Sequence, residues 1–400
     1  MSLTPVETAL AEILKSIRAQ PSERVHLSDA AGRVLARDVR AKRNQPPFDA
    51  SAMDGYAVKA VDVTKASATL KVIGKAPAGR AYKGRIKRGQ AVRIFTGAPL
   101  PLGADTIVIQ EDCTREGDEV TVDETTTLGK FVRKAGLDFA KGETLLTAGT
   151  KLNARHVGLA AAMNHATLPV LRKPKVALLA TGDELVLPGE TPRADQIVSS
   201  NNFALAAFIQ KLGGEPIDLG IAPDNRRALT RAIKKAKSCE ILLTLGGASV
   251  GDHDLVQEVL ENEGMRLTFY RIAMRPGKPL IYGKMKGMHV LGLPGNPVSS
   301  MVCARLFLQP LLRSMLGDQE KETPIKAKLA SSLPANDRRQ DYLRATLIRS
   351  KTGELQVKPF SKQDSSMLAT LTRADCLIIR KPHARPAKRG EMVSILPLDM

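Results

Sequence analysis

The sequence predicts a multidomain α/β-plus-β protein. Four hundred residues exceed what one ordinary hydrophobic core organises. Strand-like and helix-like runs alternate between residues 174 and 316, which indicates a mainly parallel sheet between two helical layers. Short alternating apolar runs with Gly and Pro turns fill residues 68–132 and recur after residue 323, which is typical of β structure.

The order of these patterns predicts four domains. Residues 1–43 and 138–172 are expected to form a discontinuous, mixed N-terminal domain. Residues 44–137 form an inserted β-rich domain, and residues 173–318 form a three-layer α/β domain. Residues 319–400 form a C-terminal β-barrel-like domain.

The α/β domain is expected to place its ligand-binding loops at one edge of the sheet. Its predicted strands are 176–180, 215–219, 241–245, 266–272, 280–282 and 289–292. Its predicted helices are 201–212, 226–237, 254–262 and 297–315, with further helices at 4–19 and 154–163 outside it. Ligands on such sheets lie beyond the carboxyl ends of the strands. The candidate loops are therefore 181–185, 222–225, 246–254 and 293–297.

The charge indicates an anionic partner. Sixty Lys and Arg residues against 41 Asp and Glu residues give a net charge of +19. Aromatic residues make up only 4% and Trp is absent, which argues against the base-stacking platforms of single-strand-binding proteins. The basic residues are scattered, so the charge fits an anionic small molecule equally well. Nucleic-acid binding would rest on charge alone and is not expected.

The cysteines and the N-terminus indicate a cytoplasmic protein. The four cysteines lie far apart and form no CxxC motif, which favours reduced, buried thiols over a metal cluster or a disulfide framework. The first residues, MSLTPVETALAEIL, read as an amphipathic helix start with acidic residues rather than as a signal peptide. The sequence contains no run of 18 apolar residues, so we expect no membrane span.

The stretch 241–260 carries the first functional signal. A buried strand breaks at Gly246 and Gly247, and Ser249 follows in a second turn of small residues before a helix begins. Strand–glycine–helix junctions bind anions through backbone N–H groups and the helix N-terminus. The acidic Asp254 repels a bare phosphate there, but it makes sense if a divalent cation accompanies the anion.

Six motifs together resemble the molybdopterin molybdenumtransferases, the family of MoeA and the gephyrin E domain. They occur in the family's order and spacing over essentially the full chain, and they are PPFDASAMDGYAV, RIFTGAPLPLGAD, ATGDELV, LGGASVGDHD, MRPGKPL and GLPGNPVS. The resemblance implies an elongated homodimer. It also implies an enzyme that inserts molybdate into adenylylated molybdopterin, with Mg²⁺-dependent hydrolysis of the phosphoanhydride and release of molybdenum cofactor and AMP. Other cofactor-biosynthesis proteins are expected as transient partners.

The resemblance and the glycine loop together assign candidate residues to this reaction. The catalytic candidates are Asp54, Glu184 and Asp254, and the metal-binding candidates are Asp54, Asp224 and Asp254. The candidates for binding pterin, phosphate or molybdate are Thr96, Gly246, Gly247, Ser249, Arg275, Lys278, Pro294 and Pro297. Because these loops are hard to unite within one elongated subunit, we expect a site shared across the dimer interface.

Arg275 departs from the family pattern, in which a KPGKP motif commonly places Lys at this position. Arg keeps the positive charge but would bind an oxyanion through its planar fork rather than as a point charge. Lys278 lies between Gly and Pro, where packing on a core face is excluded, so an anion role is favoured. The loop from Pro294 to Pro297 fits a ligand loop and a rigid turn equally well.

Each acidic candidate also has an ordinary structural explanation. Asp54 could bond its own backbone in a turn. Glu184 could be an acid favoured at a helix start, and Asp254 a first-turn acid of the next helix. Asp224 could cap the helix 226–237.

Two other functions compete with the transferase. One is a non-catalytic molybdopterin-binding or scaffold protein on the same fold, against which the intact set of acids argues. The other is a different enzyme on the same α/β domain, such as a pterin adenylyltransferase or a nucleotide-processing hydrolase. The inserted and C-terminal β domains argue against that second alternative. The sequence does not distinguish molybdate from tungstate.

Overall fold

The computed structural model describes residues 3–15, 17–246, 255–318, 322–349, 353–398 and 400. The chain divides into two units. One consists of Glu23–Val170, and the other of Met1–Ser22 together with Leu171–Met400. The predicted multidomain α/β-plus-β fold class is confirmed.

Eight α-helices and 26 strands are assigned among the described residues. The helices are α1 Val6–Leu14, α2 Ala154–Ala162, α3 Asn201–Lys211, α4 Arg226–Lys235, α5 Leu255–Asn262, α6 Pro297–Cys303, α7 Gln309–Met315 and α8 Leu368–Thr372. The strands of the first half are β1 Ser22–His26, β2 Val39–Arg40, β3 Ala50–Ser51, β4 Gly55–Val58, β5 Ala68–Ala76, β6 Gln90–Ile94, β7 Thr106–Ile109, β8 Cys113–Glu116, β9 Glu119–Val122, β10 Val132–Arg133, β11 Thr144–Leu146 and β12 Thr167–Leu171. The strands of the second half are β13 Lys175–Thr181, β14 Leu185–Val186, β15 Ile197–Val198, β16 Glu215–Ala222, β17 Ile241–Leu245, β18 Met265–Arg271, β19 Met274–Arg275, β20 Pro279–Met285, β21 Met288–Leu293, β22 Ile325–Leu329, β23 Gln340–Arg349, β24 Leu355–Pro359, β25 Cys376–Arg380 and β26 Met392–Pro397.

The unit Glu23–Val170 contains a six-stranded sheet and a mixed region. The sheet order is β7-β4-β6-β5-β9-β8, in which only the β5–β6 pair is parallel. Apolar side chains pack on both faces of this sheet. A separate core joins residues from two distant segments, among them Leu35, Val39, Leu146 and Met163. The expected discontinuous mixed region and the expected β insertion are therefore both present.

The α/β sheet lies between two layers of helices. Its order is β16-β13-β17-β21-β20-β18. The first four strands pair in parallel, and β20 is antiparallel to both of its neighbours, β21 and β18. Side chains alternate along β13, so that Val176 and Leu178 face α3 and α6 while Ala177 and Leu179 face α4 and α5. Both faces of the strand are therefore apolar, as expected for a parallel sheet that helices cover on both sides.

The C-terminal strands close into a barrel. The sheet order is β19-β23-β24-β22-β26-β25, and an additional β23–β25 pairing closes the ring of the last five strands. The interior is apolar, with Leu329, Val357, Ile378 and Ile395 buried. Strand β19 belongs to the chain segment of the α/β domain but pairs in parallel with β23, Met274 opposite Gln340 and Arg275 opposite Asp341.

The N-terminal helix packs elsewhere than the sequence predicts. Val6, Ala9 and Ile13 lie in the core of the α/β sheet, so α1 belongs to the same unit as that sheet. Helix α1 also ends at Leu14 rather than at Ala19. An amphipathic pattern predicts a buried face but not the surface that covers it. The division into four domains otherwise stays a prediction.

The long predicted helix 297–315 is interrupted by a π-helical turn, Ala304–Leu308, between α6 and α7. Pro310 lacks a backbone N–H, and its ring crowds the carbonyl of the residue four positions before it. A π turn just ahead of Pro310 provides the extra space, which the apolar pattern alone does not reveal.

Candidate functional site

The carboxyl ends of four parallel strands meet at one edge of the α/β sheet. Thr181 at the end of β13 is opposite Ala222 at the end of β16, and Leu245 at the end of β17 is opposite Leu293 at the end of β21. The chain leaves the sheet at this edge in the loops that the sequence singles out. The predicted convergence is therefore present for the described parts of these loops.

Asp224 lies among other carboxylates at this edge. Its backbone N–H donates to Asp183 Oδ1 at 3.1 Å. Partial burial raises the pKa of Asp224, and the negative charges of Asp183 and Glu184 raise it further. The helix-cap explanation for Asp224 is wrong, because Asn225 caps α4 by accepting a hydrogen bond from Ala228 N at 2.9 Å. The Asp224 carboxylate is thus not used by the helix.

Glu184 does not start a helix. It is exposed and precedes the two-residue strand β14, and its backbone carbonyl accepts a hydrogen bond from Ile197 N at 2.8 Å. Its carboxylate lies over Gly182, where an added Cβ would come within 2.5 Å of Oε2. The helix-start explanation for this residue is therefore wrong as well, and the side chain lies at the sheet edge.

Gly246 brings two loops close together. Its φ of +93° lies in the left-handed region that favours glycine, and an added Cβ would lie 2.7 Å from the carbonyl oxygen of Thr181. Its N–H donates to Leu293 O at 3.3 Å. Two buried oxygens near this edge, Thr181 Oγ1 and Asn201 Oδ1, have no hydrogen-bond partner among the described residues. Buried polar atoms without partners are uncommon and mark a place where a ligand or water can bind.

The structure brings together Asp54 and Thr96, two candidates 42 positions apart. Asp54 Oδ1 accepts hydrogen bonds from Thr96 N at 2.7 Å and from Thr96 Oγ1 at 2.8 Å. These bonds lower the pKa of Asp54, and the positive charge of Arg93 lowers it further. The alternative explanation, in which Asp54 bonds the backbone of its own turn, is therefore wrong, because the carboxylate bonds Thr96 instead. The lowered pKa keeps this carboxylate ionised well below neutral pH.

Arg93 is a neighbour of this carboxylate that sequence reasoning missed. Its guanidinium carbon lies 5.1 Å from the ring centroids of both Tyr56 and Phe95, and it donates to Gly55 O at 3.1 Å. Arg93 begins the RIFTG stretch that the sequence singles out for Thr96. Arg93 is a charged residue between the apolar residues Val92 and Ile94 of β6, and this position directly before the Thr96 loop could have indicated it.

Arg275 is engaged by carboxylates of the C-terminal barrel. Its Nη2 donates to Asp341 Oδ2 in a short hydrogen bond, and its Nη1 lies 3.4 Å from Asp337 Oδ2. These partners raise the pKa of Arg275. The sequence does not predict them, because both acids are more than 60 positions away and stand in no recognisable motif. The role of Arg275 as an oxyanion ligand stays a prediction.

The other predicted ligands of this region have mixed surroundings. Lys278 is partly buried and has no ion pair among the described residues. Pro294 O accepts a hydrogen bond from Ser300 Oγ at 2.7 Å, and Pro297 occupies the first turn of α6, where its missing N–H costs nothing. The loop between them thus has the contacts of a rigid turn, and its ligand role stays a prediction.

Three candidates, Gly247, Ser249 and Asp254, lie outside the described residues. Within the described part of the chain, no group of three or more His, Cys, Asp or Glu side chains is arranged to hold a metal ion. All four cysteines are free, and Cys239, Cys303 and Cys376 are buried, as expected. None of the described helices is long and apolar enough to cross a membrane.

Three family descriptions match the chain in succession. The MoeA N-terminal region, described as domains I and II, matches residues 4–164. A probable molybdopterin-binding domain matches residues 177–314, which contain all of the α/β sheet except the first two residues of β13, and the edge described above. The MoeA C-terminal region, described as domain IV, matches residues 326–398, which contain the barrel.

Relatives match over most of their length. A molybdopterin molybdenumtransferase of Haemophilus influenzae is 35% identical over 94% of each chain. One of Nostoc is 39% identical over 82% of this chain and 78% of its own. Two crystal structures of the molybdopterin biosynthesis MoeA protein of Pyrococcus horikoshii superpose with TM-scores of 0.86 and 0.79, at 33% and 31% identity, over at least 98% of each chain. This chain therefore belongs to the MoeA family of molybdopterin molybdenumtransferases.

Proposed function

We propose that this protein inserts molybdate into adenylylated molybdopterin, with Mg²⁺-dependent hydrolysis of the phosphoanhydride, and releases molybdenum cofactor and AMP. One observation carries the proposal. Loops with acidic residues meet at the carboxyl edge of a parallel sheet, in a chain that matches relatives named molybdopterin molybdenumtransferase over most of its length. Such an edge is where α/β sheets bind ligands.

We assign Mg²⁺ to Asp224 together with Asp54 and Asp254. Carboxylate oxygens are the protein ligands that Mg²⁺ prefers. The raised pKa of Asp224, caused by burial and by the charges of Asp183 and Glu184, supports this assignment, because a cation would offset that repulsion. Bound there, Mg²⁺ would neutralise phosphate charge.

The remaining residues act on the substrate and on water. Glu184 orients a water for attack on the phosphorus of the adenylyl group and takes the proton that this water loses. The bridging P–O bond to that phosphorus breaks, so that the water oxygen ends in AMP and molybdopterin leaves with its own phosphate. Asp54 contributes a carboxylate that Thr96 keeps ionised, since the two hydrogen bonds lower its pKa. Lys278 and Arg275 hold molybdate, while Gly246, Pro294 and Pro297 shape the pterin and phosphate contacts together with Gly247 and Ser249.

We further propose a homodimer in which the Asp54 loop of one subunit completes the α/β site of the other. This arrangement follows the sequence argument for a shared site. The reaction is placed in the cytoplasm, with transient contacts to the proteins that deliver the substrate and receive the product.

The test is a molybdate- and Mg²⁺-dependent assay of AMP release from adenylylated molybdopterin. Asp54→Ala and Glu184→Ala should each lower turnover at least about a hundredfold, as removal of catalytic groups does, while the dimer stays intact by light scattering. Asp195→Ala is the control, because this exposed carboxylate, two positions before the Ile197 that bonds the Glu184 carbonyl, pairs only with Arg193 among the described residues. Normal turnover in both test variants would remove these residues from the site. Pterin binding without AMP release by the wild type would favour the scaffold function.

A further inference from the structure

We propose that Asp341, with Asp337, is a positioning residue that sets the direction in which Arg275 presents its guanidinium to an oxyanion. The proposal rests on the proposed function, because molybdate is the oxyanion it concerns. It goes beyond that function by coupling a barrel carboxylate to a ligand of the α/β domain.

The three side chains form one connected arrangement. Arg275 Nη2 donates to Asp341 Oδ2, and Arg275 Nη1 lies 3.4 Å from Asp337 Oδ2. Arg339 Nη2 lies 3.1 Å from the same Asp337 oxygen. Positive and negative groups therefore alternate from Asp341 to Arg339. A guanidinium held by two carboxylates on different N–H groups has little freedom to rotate.

Asp341 is well placed to be the fixed end of this arrangement. Its side chain is only 5% exposed, whereas that of Asp337 is 45% exposed. The backbone positions it too, because Arg275 and Asp341 are directly opposite each other in the parallel β19–β23 pairing. Gln340 N also donates to Ala273 O at 2.8 Å. Arg275 and Asp341 therefore meet through the sheet register rather than through a chance surface contact.

Arg275 still has donors to offer. A guanidinium carries five N–H groups, and the contacts to Asp341, Asp337 and Asn336 use three of them. The side chain is 48% exposed. It lines a cavity of about 990 Å³ that Asp341 and Lys358 also line. Two N–H groups are thus left for an oxyanion in this cavity, and the carboxylates restrict the directions in which they can point.

This arrangement accounts for Arg rather than Lys at position 275. An ammonium group is a point charge on a flexible stem and cannot span two carboxylates with a planar fork. The two carboxylates also offset the positive charge of Arg275, so the residue contributes directed donors more than net charge.

The test compares Asp341→Ala with Asp341→Asn in the full-length protein. Sodium molybdate binding is measured by isothermal titration, and the molybdate dependence of AMP release is measured alongside the KM for adenylylated molybdopterin. Asp341→Ala removes the acceptor that orients Arg275. It should weaken molybdate binding about tenfold, which is the effect of losing one charge-assisted hydrogen bond from Arg275 to molybdate. Asp341→Asn keeps an acceptor and should stay within about threefold. The KM for adenylylated molybdopterin should not change in either variant.

A double variant separates positioning from a merely structural role. If Asp341 acts through Arg275, then Arg275→Ala combined with Asp341→Ala binds molybdate like Arg275→Ala alone. Additive losses would overturn the proposal, as would wild-type molybdate binding in Asp341→Ala with only a lower melting temperature. Glu354→Ala is the control, because this barrel carboxylate does not line the cavity. It should bind molybdate like the wild type.

Three further outcomes bear on this proposal, and the second and third keep it distinct from the proposed function. If Asp341→Ala does not fold, Arg275→Lys replaces it and should weaken molybdate binding, since Lys reaches only one carboxylate; unchanged binding overturns the proposal. If the wild type binds molybdate but releases no AMP, the proposed function fails, while the titrations still decide the role of Asp341. If the wild type binds no molybdate, the positioning role is wrong.

Discussion

Two aspartates of the candidate site differ in the way their surroundings treat a negative charge. Thr96 donates two hydrogen bonds to Asp54 and lowers its pKa. Burial and two neighbouring acids raise the pKa of Asp224. The first carboxylate is stabilised as an anion by the protein itself, whereas the second needs a partner that the described residues do not supply. This difference supports a cation at Asp224.

Replacing Asp224 with Asn should slightly stabilise the protein and reduce its response to Mg²⁺. A carboxylate with a raised pKa stabilises the folded state at low pH, and this contribution is lost as pH rises through that pKa. At neutral pH the negative charge of Asp224 is therefore unfavourable. Because the side chain is still largely exposed, Asp224→Asn should raise the free energy of unfolding by at most about 0.5 kcal/mol. Thermal unfolding with and without MgCl₂ measures both effects.

The wild type should gain stability from MgCl₂, and Asp224→Asn should gain much less. Asp195→Asn is the matched control and should respond as the wild type does. An equal gain in Asp224→Asn would exclude this residue as a metal ligand.

At the scale of elements, Gly55 permits the close pairing of β4 with β7. An added Cβ would lie 1.9 Å from the carbonyl oxygen of Val108, which no side chain can tolerate without separation of the strands. We expect Gly55→Ala to lower the free energy of unfolding by about 3 kcal/mol. Urea unfolding measures it. Because Gly55 follows Asp54, AMP release should fall as well.

Gly158→Ala provides the control for this prediction. Gly158 lies inside α2 with open space around its Cα, so an added methyl group should stabilise the helix by about 0.5–1 kcal/mol. A similar loss of stability in both variants would indicate that the Gly55 effect does not come from the contact with Val108.

The elements show what local sequence determines. The strand 241–245 has the predicted bounds because an apolar run between polar turns specifies it locally. The alternative in which Asp224 caps α4 could not be separated from a cap at its neighbour Asn225 by sequence, since both residue types cap helices and only the backbone conformation decides. The acids that hold Arg275 could not be predicted, because the contact depends on how β19 pairs with β23.

At the scale of the whole molecule, His289 should make stability depend on pH. Burial lowers its pKa to about 4, and the positive charge of Lys284 contributes. Its Nδ1 lies 2.9 Å from the Tyr282 hydroxyl. The unfolded chain binds a proton near pH 6.5, so stability falls as pH drops from about 6.5 towards 4, by up to about 3 kcal/mol.

His289→Gln removes this titrating group and should flatten the pH dependence of the melting temperature between pH 4 and 6.5. The absolute stability at pH 7 is a separate readout, because Gln packs less well than the imidazole. An unchanged slope of melting temperature against pH would show that other groups dominate acid unfolding.

The overall architecture was predictable because periodicity and turn residues report on each segment separately. The α/β sheet, the β insertion and the closed barrel each follow from such local patterns. The packing of α1 on the α/β core was not predictable, since its apolar face fits more than one surface. Thr96 and Asp54 were both candidates, yet only the fold shows that they contact each other.

The pairing of β19 with β23 limits how the C-terminal barrel can be moved between proteins. Residues 322–400 alone would lack β19. The side of β23 that pairs with β19 at Gln340 and Asp341 would then be unpaired, although Asp341 would still pair with Arg380 of β25. Unpaired edges recruit other chains, and a buried carboxylate without its cation is destabilising. Moved into another protein without β19, the barrel would expose a strand edge that promotes aggregation. Recombination of this domain between proteins therefore has to carry the segment around Arg275 with it.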